Sequence, residues 1–98
     1  MTRITKDMLD RIVSRINAMT GNVDEPWTKS DSGQMQSNIG NYHLSGAYGG
    51  YSLHQMLTES GGVRDVLSCG HVSKRELYDR MHAFIEGLYT AKDINGIK

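Results

Sequence analysis

The chain holds a single cysteine, a single proline and 7% aromatic residues, and no apolar run long enough to span a bilayer. With no second thiol, Cys69 has nothing to pair with internally, which excludes an intramolecular disulfide and fits a reducing compartment. Met1 to Asp7 lack the apolar stretch of a signal peptide, and nothing approaches the ~18 apolar residues of a membrane helix. A cytoplasmic protein with no membrane partner is expected. Charge of one sign is also missing, because 11 lysines and arginines balance 11 aspartates and glutamates. No overall field then draws the chain onto DNA, RNA or an anionic membrane, and any anion site must be a local cluster. Apolar material is scarce, at 38% hydrophobic residues and a mean hydropathy of -0.49. A domain this short leaves about a third of its unfolded surface exposed even when compact, so a thin core and association with further copies of the chain are expected.

What is present reads as one α+β domain over residues 1–98: an N-terminal helix, antiparallel β-hairpins and a C-terminal helix. Leu9, Ile12, Val13 and Ile16 recur at helical spacing, with Met8 and Met19 beside the stripe, and predict a helix over about residues 6 to 20. Thr5 stands as its N-cap, Ile4 and Leu9 as a hydrophobic staple, and Gly21 as a left-handed C-cap. From Asn22 to Asn38 the periodicity is lost and Pro26 excludes helix, so the stretch around Asp31-Ser32-Gly33 reads as a frayed hairpin or an ordered loop.

Gly40 to Leu57 carries the best strand signal, with Gly49-Gly50 as a two-residue turn. Pairing Tyr48 with Tyr51 then sets Ser45 opposite His54 and His43 opposite Met56. Alternation puts Tyr42, Leu44, Gly46, Tyr48, Tyr51, Leu53, Gln55 and Leu57 on an apolar side. His43, Ser45, Ala47, Ser52, His54 and Met56 share the other. Val63 to Leu67 allows one short strand. Ser73 to Glu76 then makes a capping box, and Leu77, Met81, Phe84, Ile85 and Leu88 give a second helical stripe out to about Tyr89. Thr90 to Lys98 reads as frayed.

The chemistry concentrates at the entry to that second helix, where Gly70, His71, Ser73, Lys74 and Arg75 gather around unpaired backbone N–H groups. Lysine and arginine in a first turn oppose the helix dipole by about 0.3 to 1 kcal/mol each, so a negative ligand, phosphate foremost, accounts for them. The plainer alternative has both side chains in water, with Glu76 offsetting the repulsion. Tyr42, Tyr48 and Tyr51, set among glycines, offer a platform on which a base stacks. Tyr42 and Tyr51 also read as core residues whose hydroxyls reach water, which leaves Tyr48, beside the turn, as the free ring. Cys69-x-His71 with His43 and His54 matches no familiar zinc spacing, and neither metal nor cofactor is expected. Paired carboxylates, a phosphate loop of Walker type and an activated nucleophile are absent at any recognisable spacing, Cys69 near His71 being the nearest approach. A binding protein is expected, not an enzyme.

The runs Gly40-Asn41-Tyr42-His43-Leu44, Ala47-Tyr48-Gly49-Gly50-Tyr51, Glu59-Ser60-Gly61-Gly62-Val63 and Gly70-His71 to Lys74-Arg75-Glu76-Leu77 resemble small phage-encoded proteins of the first Thoeris anti-defence family. Met1 to Thr20 resembles that family's opening helix, so the likeness covers most of the chain. The resemblance implies a sponge in the cytoplasm of the infected bacterial host. Its ligands would be cyclic ADP-ribose signals made by TIR-domain defence enzymes, glycocyclic ADP-ribose among them, and in some members cyclic oligonucleotides, all held without cleavage. It also implies a homo-oligomer, either a dimer or an assembly of dimers. By matching position it puts a base on Tyr48 and phosphates on Arg75 and Lys74. Thr58 stands where the family typically has a ligand-contacting asparagine, which alters either that contact or the preferred ligand isomer. His71 and Tyr51, beside these positions, complete the expected ligand-binding set. Two readings compete: a phage inhibitor docking an exposed hairpin edge or a methionine-bearing helix on a host protein, and a small nucleotide hydrolase.

Overall fold

The first helix starts and stops where its capping chemistry requires. In the computed structural model, which describes residues 3–96, α1 runs Lys6–Thr20. The Thr5 hydroxyl accepts from the Met8 amide at 3.3 Å, and Gly21 closes the helix at φ 75°. A side chain at that angle would be strained. The apolar stripe of Leu9, Ile12, Val13 and Ile16 is buried, as is Ile4 of the staple.

Two antiparallel sheets follow. The first is a hairpin of β1 (Trp27–Lys29) and β2 (Met35–Ser37), where a frayed hairpin or an ordered loop was expected, and its three pairs are in regular antiparallel register. The second holds β3 (Tyr42–Ala47), β4 (Gly50–Met56) and β5 (Val63–Asp65) in the order β3-β4-β5, and α2 (Lys74–Gly96) completes an α+β chain. Both helices lie on one face of the larger sheet, α1 on β3, α2 on β4, each touching the other. Between them sits a single core of Ile4, Leu9, Ile12, Val13, Ile16, Tyr42, Leu53, Leu77, Met81 and Ile85. Each fully buried aliphatic there contributes about 1.5 to 3 kcal/mol.

The register of β3 and β4 differs from the expected one. His43 faces His54, not Met56, Ser45 faces Ser52, not His54, and the two-residue turn is Tyr48-Gly49. Both turn residues have positive φ, 54° and 74°, as a type I′ turn requires. Gly50 is released from the turn and instead permits a close backbone approach, since a Cβ on it would lie 2.7 Å from the Val72 carbonyl oxygen. That approach lets Val72 pair with Tyr51, each amide donating to the other's carbonyl at 2.8 and 2.9 Å. Tyr42, Leu44, Gly46, Tyr51, Leu53 and Gln55 still share one side, because the slip moves every partner by two residues and two is the period of a strand.

Two stretches of the larger sheet are flanked by neighbours, both sides of β4 and the Tyr42 end of β3. Along β4 run β5, the Val66 amide donating to Leu53 at 3.0 Å, and the Tyr51–Val72 bridge. At the β3 edge the carboxamide of Asn17, 1% exposed, replaces a strand. Its Nδ2 donates to the Tyr42 carbonyl at 2.9 Å and its Oδ1 accepts from the Tyr42 amide at 2.8 Å.

The second helix also departs from expectation, continuing past Tyr89 to Gly96. Gly87 sits on an exposed side where it meets no neighbour, and no proline follows, so nothing breaks the ladder before Asn95-Gly96. Ile97 and Lys98, the end of the stretch expected to fray, lie outside the described residues. Ser73 caps α2 by accepting from the Glu76 amide at 3.1 Å, but the Glu76 carboxylate turns to Arg80 at 2.9 Å, so half of the capping box forms. Arg15 joins the helices, donating to the Tyr89 hydroxyl at 2.6 Å with its guanidinium over that ring.

Candidate functional site

Turn geometry decides where Tyr48 goes. A tyrosine at φ 54° occupies a conformation that bulky residues avoid, and its side chain is 98% exposed, so no packing offsets the strain. Its one ring neighbour is His71, edge-on at 5.8 Å between centroids. His71 arrives on the segment bridged to Tyr51, and its Nε2 is hydrogen-bonded to Ser45 Oγ at 3.0 Å. The row continues across the sheet, from His71 to His54 at 5.9 Å and from His54 to His43 at 6.0 Å, all edge-to-face. Four rings thus form a strip on the sheet face that no helix covers.

Asp65 borders this strip, paired in register with His54. Burial alone would raise its pKa, but the Gly70 amide, the nearby Ser52 hydroxyl, the Leu67 amide and His54 together hold it below the usual carboxylate value. The Gly70 amide donates to Asp65 Oδ2 at 2.7 Å. The Ser52 Oγ and the Asp65 Oδ1 are both buried and neither has a hydrogen bond of good geometry, so the Ser52 hydroxyl favours the carboxylate through its O–H dipole without a well-formed bond. Burial lowers the pKa of His43, and the neighbouring His54 lowers it further. Burial likewise lowers that of His54, with Asp65 opposing and His71 adding. Both rings are therefore neutral at physiological pH. Burial, then Asp65, raises the Cys69 thiol, which keeps it protonated and a poor nucleophile.

Behind the turn, on the helix side, lies a cavity of about 500 Å³ lined by Gly46, Ala47, Gly49, Gly50, Tyr51, Ser73 and Lys74. Lys74 is the first residue of α2 and half-buried, and Arg75 follows, exposed on the same turn. The hairpin tip therefore separates two groups of expected site residues, Tyr48 and His71 on the open face, Tyr51 and Lys74 in the cavity, with Arg75 alongside. Thr58 is elsewhere. It follows β4, whose seven residues span about 20 Å from the turn. Its hydroxyl accepts from the Gly62 amide at 2.7 Å and its carbonyl from Ser37 Oγ at 2.6 Å, so it closes a loop.

His43, His54 and Ser45 were not expected at a ligand site. Alternation alone puts the three on one face, but only the true register sets the two histidines side by side. Among the described residues, no group of three histidines, cysteines or acids is arranged to hold a metal ion, and no helix is long and apolar enough to cross a membrane. No protein-family model, no curated protein and no solved structure matches the chain.

Proposed function

We propose that this protein is a phage anti-defence sponge that binds a cyclic nucleotide immune signal, of the glycocyclic ADP-ribose type or a cyclic oligonucleotide, and holds it uncleaved in the infected cell. The observation that carries this reading is Tyr48: a strained, fully exposed ring held beside His71 has no use in folding and suits stacking on a base. The start of α2, with Lys74 in the cavity and Arg75 beside it, supplies cations and helix amides for phosphates. The resemblance of the Gly40 to Leu77 runs to the anti-defence family supports the same ligand class and a homo-oligomer. The protonated state of Cys69 weighs against thiol chemistry.

One contact favours the hydrolase reading, the Ser45 Oγ to His71 Nε2 hydrogen bond, since a hydroxyl beside an imidazole is the start of a nucleophile. A single assay separates the readings. Purified protein is incubated with glycocyclic ADP-ribose, filtered, heated, and the released material chromatographed. Depletion from the filtrate followed by recovery of intact ligand is expected. Product that disappears in Ser45→Ala establishes hydrolysis instead, and a ligand never depleted overturns binding. Arg75→Ala is expected to weaken affinity by about 1.5 to 3 kcal/mol, tenfold or more, and Lys74→Ala by less, because lysine lacks the planar fork of donors.

A further inference from the structure

In the larger sheet β4 is flanked on both sides and Asn17 covers the Tyr42 end of the β3 edge, whereas both outer edges of the small sheet run uncovered among the described residues. The edge of β1 carries Lys29 and is preceded by Pro26, both of which discourage strand addition. The edge of β2 carries neither. Its residues are Met35, Gln36 and Ser37, without charge or proline, and all three line a cavity of about 610 Å³. Val23 and Ile39 stand beside them at 53% and 57% exposure, and Met35 is 58% exposed.

The phase of the hairpin shows which backbone groups are spare. Asn38 donates to the Pro26 carbonyl at 2.8 Å and Ser30 to the Gln34 carbonyl at 2.7 Å. Thr28 and Gln36 therefore form the hydrogen-bonded pair between them, and Met35 and Ser37 turn their N–H and C=O groups away from β1, toward the cavity. A two-stranded hairpin that meets the 58–61 loop through Ser37 and Trp27 is marginal by itself.

We infer that β2 pairs with β2 of a second copy of this chain, antiparallel, joining two hairpins into one four-stranded sheet. This rests on the reading of the protein as a homo-oligomer. A two-fold axis through Gln36 sets Met35 opposite the partner's Ser37, so the spare groups on each edge satisfy those on the other. β2 itself carries no charge, so like strands meet without repulsion along the edge, and Glu59 is the one ionisable group among the residues lining the cavity. The chain exposes 6452 Å², about 850 Å² more than the ~5,600 Å² of a compact globule of its mass, an excess comparable to the ~800 Å² each partner buries in a stable interface.

In this pairing Gln36 faces the partner's Gln36 in a non-hydrogen-bonded position, with Cα atoms about 4.5 Å apart, within disulfide reach. The test uses the full chain carrying Cys69→Ser to remove the native thiol. Gln36→Cys is expected to form a covalent dimer on mild oxidation, whereas Thr28→Cys, one strand further out, is not. Met35→Pro removes only an outward N–H, so it is expected to keep the circular dichroism of the parent and halve its mass in light scattering. A dimer that neither cross-links through Gln36→Cys nor responds to Met35→Pro overturns the β2 interface and leaves the oligomer standing. Monomer mass for the unaltered chain at micromolar concentration overturns both.

Discussion

Replacing Tyr48 with asparagine should raise stability and lower ligand affinity, a pair of opposite signs that a ring serving only the fold would not give. Tyr48 sits at φ 54° in a Tyr-Gly type I′ turn, where Asn-Gly is the favoured pair, and a residue such as tyrosine is strained there by about 1 to 2 kcal/mol. At 98% exposure the ring loses almost nothing on removal apart from its edge contact with His71. A gain of about 1 kcal/mol follows for Tyr48→Asn, which raises Tm by roughly 4 to 8 °C in a domain of this size. Loss of a stacked base partner weakens binding by about 1 to 3 kcal/mol, or about 5- to 150-fold in Kd. Calorimetry reads both quantities, as a melting scan and as a titration with glycocyclic ADP-ribose. A lower Tm would mean that the ring supports the fold, and an unchanged Kd would mean that it does not touch the ligand; either result refutes the role given to Tyr48.

Asn17→Ala leaves the amide and carbonyl of buried Tyr42 without partners, and urea denaturation should register a loss of about 2 to 4 kcal/mol; less than 1 would show that water replaces the carboxamide. Gly50→Ala drives a Cβ against the Val72 carbonyl and should lose about 1 to 3 kcal/mol, with exchange of the Tyr51 and Val72 amides accelerating. In Gly49→Ala the added methyl meets open space, so only φ strain of about 1 kcal/mol is expected. Because His43 and His54 have folded-state pKa values below the ordinary 6.5, the unfolded chain binds more protons. Their contribution is therefore full above about 6.5 and is lost as pH falls through and below that value. Asp65, also lowered, acts in a separate window below its ordinary 3.8. Melting scans from pH 8 to pH 5 should show a falling Tm, flattened in the His43→Gln/His54→Gln double variant; an identical slope in that variant would place the titrating group elsewhere.

Periodicity and caps are local properties, and they determined α1 to the residue: a stripe at helical spacing, a threonine before it and a glycine after it admit one frame. The second helix was legible at its start for the same reason, through Ser73, but not at its end, where no breaker marks a stop before Gly96. Parity along Gly40 to Leu57 sorted the paired strand residues correctly even though the turn was set one residue late, since a slip of two in pairing leaves each side chain on its own face. Tyr48 is the exception, because the turn takes it out of the alternation and sets its ring on the open face, not on the expected apolar side. The partners themselves were beyond the sequence. Whether Gly49 or Gly50 belongs to the turn depends on Val72, which comes close to Gly50 only once the later segment folds back along β4. Ser45 with His71 and Asn17 with Tyr42 join residues 26 and 25 positions apart, and no local pattern encodes which of many polar groups will meet. The sequence thus decided which residues share an element and a face. Which of them touch, and so the ring strip itself, was left to the packing of segments that have no periodic relation to one another.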